Sequence, residues 1–483
     1  MKSVRGGKPR RKRVRIGASD PSLTPVSGMA AVGELVDRLG VVGSIDAAVG
    51  PIKTRARGRG VGELLVGLAA AQLAGQDFLV GLDRHRADVA GQLLTPVPGL
   101  ASTTASGLAR RIDAHGWRQV EVGVAAVNAR MLALLQPLRR EALCAGATID
   151  IDATDVEVYG RRKRGVAYNY QGQRCGRPHV ATWAQTETVL AADLLAGDDD
   201  PRPGASGLLR RALAGLPARV RAGGVQMRAD AGYFAGDLAR AAHAEGVGFA
   251  IGAKRIAPLW RTLAGLAESD WAEAIDMDSA QVAVSAYRPR EWPEATRLLI
   301  RRVRLEADQV SADPRSRRRR TLHPDQRALP LAELEAAGVI YAYSFVLTDL
   351  NVSTPDQAVA VEHWYRHRTS IENIFRDSKH GAAMRHLPSG HPQVNTAWMW
   401  GGLLAASLAG WLHELTGNLA ADGAVTGHGV RDGKAMIATL RHRLICIPAR
   451  LVRHARGWIL RPPPGHELLE EVLARLRALP SPS

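Results

Sequence analysis

Four carboxylates stand at positions where a folded chain could gather them around metal ions. Asp150 and Asp152 lie in a stretch of alternating apolar and polar residues, which predicts a strand with both acids on one face. Asp230 ends a second short apolar stretch, and Glu372 lies in a later helical segment. Carboxylate oxygens are ligands that Mg2+ and Mn2+ prefer, and a pair of such ions can activate the attacking and leaving oxygens of a phosphodiester. The two acids on one strand face therefore predict a site for a divalent cation.

Each acid also has an ordinary structural interpretation. A solvated edge strand could carry Asp150 and Asp152, although acids are disfavoured in strands. Asp230 could simply cap the helix that is predicted at residues 236–245. Glu372 has Arg and Lys neighbours and could belong to a ladder of exposed ion pairs. The residues alone leave these alternatives open.

The segment around Glu372 is predicted to be one uninterrupted helix over residues 364–379, because it contains no Gly or Pro. Ile371 and Ile374 would face a core, and at about 100° per residue the polar side chains fall within one narrow stripe on the other side. The helix would therefore present one carboxylate with cations on both sides of it. The residues of the stripe are Tyr365, Arg368, Glu372, Arg376 and Lys379.

The order Tyr-x2-Arg-x3-Glu-x6-Lys resembles the signature helix of DDE transposases of bacterial insertion sequences. Residues 149–160, 228–234 and 450–459 look most similar to the insertion-sequence-1380 group. Two strand acids upstream of the helical Glu are in the order that this family has. The resemblance implies an α/β fold with an RNase H-like (retroviral-integrase-like) catalytic core.

The resemblance also implies a role for each residue. Asp152, Asp230 and Glu372 would be the catalytic residues and would hold a pair of Mg2+ or Mn2+ ions. Asp152 is assigned as the first ligand because the family usually places its Asp before a small residue and Thr, and Asp150 stays an alternative because it shares that face. The other residues of the stripe would bind DNA near the cut, namely Tyr365, Arg368, Arg376 and Lys379.

The composition predicts a polyanionic partner. Lys and Arg number 64 against 47 Asp and Glu, which gives the 483-residue chain a net charge of +17. Nucleic acid fits such a charge first, and an anionic membrane surface second. The cysteines, Cys144, Cys175 and Cys446, are far apart and form no disulfide framework, which fits a reducing cytoplasm. A zinc site at Cys175 and His179 would have too few ligands.

No segment is predicted to cross a membrane. The most apolar stretch, residues 397–412, is shorter than the roughly 20 residues that a bilayer requires, and it is predicted to be a buried core helix. The basic N-terminus has no apolar stretch behind it, so a secretory signal is not expected. We therefore expect a bacterial cytoplasmic protein that is associated with the nucleoid.

The chain divides into segments of different character. Residues 103–111 could be the recognition helix of a helix-turn-helix or an ordinary capped surface helix. A Trp- and Arg-rich, strand-like stretch with an arginine loop at residues 315–320 is predicted to interrupt the catalytic core. The predicted domains are a basic flexible arm (1–28), an all-α DNA-binding domain (29–140), the first part of the core (141–254), a β-rich insertion (255–338), the second part of the core with the signature helix (339–415), and a helical and basic tail (416–483).

Three local predictions have two outcomes each. Residues 189–194 are either a strand or the start of a helix. Trp292 is expected in the core rather than stacked on a DNA base. Residues 468–476 form an amphipathic helix that packs either on the core or on a partner subunit.

The chain is therefore predicted to be a cut-and-paste DNA transposase, which cuts inverted-repeat ends and joins the freed 3′-OH to target DNA. Its partners would be double-stranded DNA, both inverted repeats and target, and a second copy of the chain when two ends are paired. One alternative is an RNase H-like nuclease that transfers no strand. Another is a non-enzymatic DNA-binding remnant, against which the intact acids and signature segment argue.

Overall fold

The computed structural model describes residues 14–53, 58–305, 340–428 and 433–481. Residues 1–13 of the predicted basic arm and the predicted arginine loop at residues 315–320 lie outside the described ranges. Within these ranges the protein is a mixed α/β structure built around one large mixed sheet.

The described chain between residues 29 and 144 folds into helices. They are α1 (Met29–Leu39), α2 (Val41–Val49), α3 (Val61–Leu73), α4 (Gly81–Ala87), α5 (Ser102–Ala109), α6 (Ala114–Leu134) and α7 (Pro137–Cys144). Gly40 has a φ of 61°, and this left-handed conformation ends α1 and lets α2 start in a new direction. The carboxylate of Asp113 caps α6 by accepting the Gly116 N–H at 2.7 Å.

An 11-stranded sheet forms the centre of the molecule. Its strands are β2 (Ala147–Ala153), β3 (Val156–Glu157), β4 (Ala167–Tyr168), β5 (Arg174–Trp183), β6 (Thr188–Ala196), β7 (Val225–Ala229), β8 (Gly248–Gly252), β9 (Ala272–Glu273), β10 (Ala280–Ser285), β11 (Arg297–Leu305) and β12 (Ile340–Thr348). Residues 189–194 are thus part of a strand. Ile149 and Ile151 of β2 are fully buried, as the alternation of that stretch predicts.

The middle of the sheet runs in the order β6, β5, β2, β7, β8. β5 pairs antiparallel with both β6 and β2, whereas β2, β7 and β8 are parallel. On the far side β12 pairs antiparallel with β8, and β11, β10 and β9 continue the sheet. The described part of the predicted insertion therefore supplies strands that lengthen the sheet beyond β12.

The remaining helices cover the sheet and complete the core. They are α8 (Arg202–Gly215), α9 (Ala218–Ala222), α10 (Gly236–Ala244), α11 (Ala257–Ala264), α12 (Pro355–Arg366), α13 (Thr369–His380), α14 (Pro392–Thr416), α15 (Ile437–Leu440) and α16 (Glu467–Arg477). Thr354 and Gln357 form a reciprocal cap at the start of α12, which Pro355 opens.

Helix α14 is the central buried helix. Residues 397–412 are all buried, so the prediction of a core helix is confirmed. Gly401 lets α14 approach α3 closely, since a Cβ there would lie 2.8 Å from the Leu68 side chain. The Gln72 amide of α3 also donates to the Trp398 carbonyl at 3.2 Å. No helix within the described ranges has the length and apolar character needed to cross a membrane.

One continuous cluster of buried apolar side chains runs from α1 through the sheet to α16. Leu469, Val472 and Leu476 of α16 belong to this cluster, so this helix packs on the core of its own chain. Short strands lie at the periphery: β1 (Leu23–Thr24), β13 (Asn418–Leu419), β14 (Val425–Thr426), β15 (Ala449–His454) and β16 (Gly457–Arg461).

Candidate active site

Asp152 and Asp230 lie at the carboxyl ends of two neighbouring parallel strands. β2 and β7 are aligned so that Ile151 is opposite Ala229, and the acids are the next residues on each chain. Both carboxylates line an open cleft of about 810 Å3. The structure thus brings together two of the three acids that the sequence predicts for catalysis, at the edge of a sheet where active sites often lie.

The environment of Asp152 opposes its negative charge. Burial raises the pKa of Asp152 to about 6, the positive charge of Arg368 opposes this rise, and the charge of Asp230 adds to it. One carboxylate oxygen accepts the Ala153 N–H at 2.7 Å, and the other accepts a guanidinium N–H of Arg368 at 2.9 Å. Arg368 is therefore the cation that offsets the charge of this acid pair.

Asp150 has a different role. Its side chain is fully buried, and both of its oxygens accept from the Arg228 guanidinium, at 2.7 and 2.9 Å. The hydroxyl of Ser370 donates to the same carboxylate. Asp150 and Arg228 thus form a bidentate pair that ties β2 to β7 and to the start of α13, and the oxygens of Asp150 are already engaged inside the protein.

The prediction of one uninterrupted helix over residues 364–379 is wrong. Helix α12 ends at Arg366, and α13 begins at Thr369. The carbonyl of Trp364, which would accept the N–H of Arg368 in a continuous helix, instead accepts from the guanidinium of Arg228. The Arg368 N–H turns back to the Tyr365 carbonyl at 3.3 Å, so a tertiary contact breaks a segment with no helix-breaking residue.

The break gives the residues of the predicted stripe separate environments. The Tyr365 hydroxyl donates to the Ala229 carbonyl at 3.1 Å, and burial raises the pKa of Tyr365 to about 12. Lys379 donates to the Thr154 hydroxyl at 2.6 Å, and burial lowers the pKa of this ammonium group. Arg376 is exposed and bonds only to Asn373 of its own helix among the described residues.

Glu372 is exposed in the first turn of α13. Within the described ranges, no hydrogen bond or ion pair joins it to another side chain, and no three His, Cys, Asp or Glu residues are grouped closely enough to hold a metal ion. Glu372 lies seven positions before Lys379, so it occupies the same face of the helix that reaches Thr154, close in sequence to Asp152. The structure does not bring Glu372 into the pair formed by Asp152 and Asp230.

The donor groups of the cleft fit a divalent cation. Asp152 and Asp230 supply carboxylate oxygens on adjacent strands, and their mutual repulsion adds to the rise in the pKa of Asp152 that burial causes. A cation relieves this repulsion, and in the described structure Arg368 is the cation that contacts Asp152. A metal ion at this pair would therefore replace or move the Arg368 contact.

Two residues that line the cleft, and a buried ring that stacks on one of them, were not assigned to the site from the sequence. Lys254 lies just beyond β8 and lines the cleft. Tyr233, three residues after Asp230, is buried with no hydrogen-bond partner for its hydroxyl in the described structure, and burial holds its pKa well above the usual value. The ring of His179 stacks on Tyr233 with a centroid distance of 5.7 Å. Only the proximity of Tyr233 to Asp230 was a signal in the sequence.

Burial decides the position of Trp292. Trp292 is buried and packs against Phe234 and Phe249, at centroid distances of 5.7 and 5.8 Å, so it is the expected core residue. Cys175 and His179 are both buried in β5, and they do not belong to a metal-binding group within the described ranges.

The model of the family described as "Transposase DDE domain group 1" matches residues 7–315 and 325–481. Among solved structures, the cryo-EM structure of a piggyBac transposase synaptic complex with hairpin DNA aligns with a TM-score of 0.40 and 10% identity, over 85% of this chain and 78% of that chain. No curated protein matches the chain.

Proposed function

The chain belongs to the transposase DDE domain group 1 family, and on that basis we propose that it is a cut-and-paste DNA transposase. It cleaves DNA at the inverted-repeat ends of its element and joins the freed 3′-OH to target DNA. The observation that carries this proposal is the pair of acids, Asp152 and Asp230, at adjacent parallel strand ends in one open cleft.

The sheet topology supports an RNase H-like catalytic core. The strand order β6, β5, β2, β7, β8, with an antiparallel first half and a parallel second half, is the arrangement that this fold requires. In this reading β9–β11 and α11 belong to the insertion at residues 255–338, and the core resumes at β12. We propose for the folded chain the same domain boundaries that the sequence predicts.

We assign Asp152, Asp230 and Glu372 as the ligands of a pair of Mg2+ or Mn2+ ions. Bound there, the ions would supply the charge that activates the attacking oxygen and stabilises the departing one. Asp152 is favoured over Asp150 as the first ligand because Arg228 already engages both oxygens of Asp150. Glu372, exposed on α13, would join the pair by a shift of that helix when DNA binds.

The cations of α13 and of the turn before it would hold the DNA backbone. Arg368 can exchange its contact with Asp152 for a phosphate when the carboxylate takes a metal ion, and its planar guanidinium suits a bidentate phosphate contact. Arg376 is exposed and available for a phosphate, and Lys379 lies beside Thr154. Tyr365 fixes the strand end at Ala229, so its contribution to DNA binding would include positioning Asp230.

The partners in this proposal are the inverted repeats, target DNA and a second copy of the chain on paired ends. The net charge of +17 supports a DNA partner, and such a partner would place the protein on the nucleoid. We assign reading of the ends to residues 29–140. In this region the start of α5 is fixed by the Asp83 carboxylate, which accepts the Ser102 N–H at 3.1 Å, and Arg110 and Arg111 at its end are exposed.

The proposal is tested by incubating the full chain with labelled DNA that carries the inverted repeats, with and without Mg2+, and separating the products. Cut and joined products that require Mg2+ are expected. Cut products without joining would instead favour the nuclease alternative. DNA binding with no cleavage at all would favour the non-enzymatic remnant and contradict the assignment of Asp152, Asp230 and Glu372.

A further inference from the structure

A second cavity lies beside the candidate active site. It has a volume of about 600 Å3, and Asp155 lines both this cavity and the cleft that contains Asp152. Lys379 of α13, which bonds to Thr154, also lines it. A strand of DNA bound at the acids could therefore extend directly into this second cavity.

Three aromatic rings line part of the second cavity. Phe78, in the loop between α3 and α4, is 60% exposed, and Tyr159, after β3, is 82% exposed. The ring of His386 lies against Phe78 with a centroid distance of 4.8 Å. Nε2 of His386 is buried and has no hydrogen-bond partner among the described residues. The cavity thus offers exposed ring faces together with one unpaired polar ring atom.

The charge of the cavity is positive. Lys163, Lys379 and Arg385 line it, and its carboxylates are those of Asp155 and Glu157. Asp155 is paired with Arg177 at 2.7 Å, and Glu157 accepts the Tyr159 hydroxyl at 3.0 Å. Arg385 is exposed and forms no hydrogen bond or ion pair within the described part of the chain. The cavity therefore combines aromatic faces with cations that suit a phosphate.

We propose that this cavity binds an unpaired nucleotide of the DNA strand that occupies the candidate active site, with its base against Phe78 and Tyr159 and an adjoining phosphate on Arg385. This inference rests on the proposed function, since it places the cavity on the path of the same strand. A base in a duplex has both faces covered by its neighbours, so only an unpaired base can offer a face to these rings. Nε2 of His386 is available to bond a polar edge of that base.

The test is a binding measurement that needs no catalysis. The full chain is titrated in EDTA with a fluorescent duplex and with the same duplex carrying a single-stranded tail, and the ratio of the two Kd values is determined by anisotropy. The wild type is expected to prefer the tailed DNA. The double variant Phe78→Ala/Tyr159→Ala should reduce this preference about fivefold or more, because stacking of a base on an aromatic side chain is lost.

Two further variants separate stacking from general effects. Val80 lies in the same loop as Phe78, is 56% exposed and does not line the cavity, so Val80→Ala should keep the full preference. Phe78→Trp, made with Tyr159 intact, keeps a ring face and should retain the preference. Because Phe78 and Tyr159 are both exposed, their truncation removes no core contact.

The outcomes are distinct for the two proposals. Loss of the preference in Phe78→Ala/Tyr159→Ala alone supports the nucleotide site. A wild type that binds both DNAs equally, or a double variant with an unchanged preference, overturns the nucleotide site but leaves the proposed transposase function standing. A wild type that binds neither DNA overturns both.

Discussion

Asp150 and Asp152 are two positions apart on strand β2, yet they lie in opposite electrostatic environments. Asp150 is fully buried, and Arg228 engages both of its oxygens. Asp152 faces the cleft, where burial and Asp230 raise its pKa to about 6 against the effect of Arg368. Asp150 therefore stabilises the sheet through its pair with Arg228, whereas Asp152 can exchange Arg368 for another cation.

This difference predicts opposite effects for two matched substitutions. Asp150→Ala leaves Arg228 buried without a counterion, which should lower the free energy of unfolding by about 3–5 kcal/mol. Asp152→Ala should cost less, because the side chain of Arg368 is 13% exposed against 4% for that of Arg228, but it should abolish cleavage. Denaturant titration and a cleavage assay measure the two effects. A stable Asp150→Ala protein that fails to cut, beside an active Asp152→Ala protein, would reverse the ligand assignment.

Loss of either remaining catalytic acid should separate cleavage from binding. Asp230→Ala and Glu372→Ala are each expected to abolish Mg2+-dependent cleavage and to leave the Kd for DNA in EDTA unchanged, because neither acid binds DNA without the metal. Asp356, an exposed acid in the first turn of α12, provides the matched control, and Asp356→Ala should cut normally. Normal cleavage by Glu372→Ala would remove Glu372 from the site and leave Asp152 and Asp230 alone.

The sequence predicted most of the strands and both acids that meet in the cleft. The family match confirms the resemblance to DDE transposases, whereas the insertion-sequence-1380 assignment stays a prediction. Period-two alternation placed Asp150 and Asp152 on one face but could not distinguish them, because the partner that occupies Asp150 is Arg228, 78 residues away in sequence. Only the parallel pairing of β2 and β7 brings that guanidinium opposite Asp150.

The break between α12 and α13 could not be predicted for a related reason. Residues 364–379 have no Gly or Pro, so local propensity favours one helix. The same Arg228 that pairs with Asp150 also bonds the Trp364 carbonyl, and its guanidinium lies 5.1 Å from the Trp364 ring centroid. A tertiary contact from the sheet therefore overrides the helical preference and turns Arg368 toward Asp152.

Arg368 and Arg376 should contribute differently to DNA binding. Arg376→Ala removes one exposed phosphate contact, so the slope of log K against log salt should fall by about 0.9 with little change in the cleavage rate of bound DNA. Arg368→Ala should reduce the slope similarly and also slow cleavage of bound DNA, because Arg368 reaches the acid pair. Anisotropy at several salt concentrations and single-turnover cleavage measure both quantities. If Arg368→Ala changes neither, its pair with Asp152 is only structural.

The buried ring of His179 should make the protein less stable in mild acid. Burial lowers the pKa of His179 from 6.5 to about 4, so the folded state disfavours the charged ring. The stability from neutral His179 is complete above pH 6.5 and is lost as the pH falls toward 4, by up to about 3 kcal/mol. His179→Phe keeps a ring against Tyr233 but cannot be protonated, so its free energy of unfolding should fall less than that of the wild type over this range. Denaturant titrations at several pH values make the comparison, and parallel pH profiles for the two proteins would show that His179 is not the titrating group.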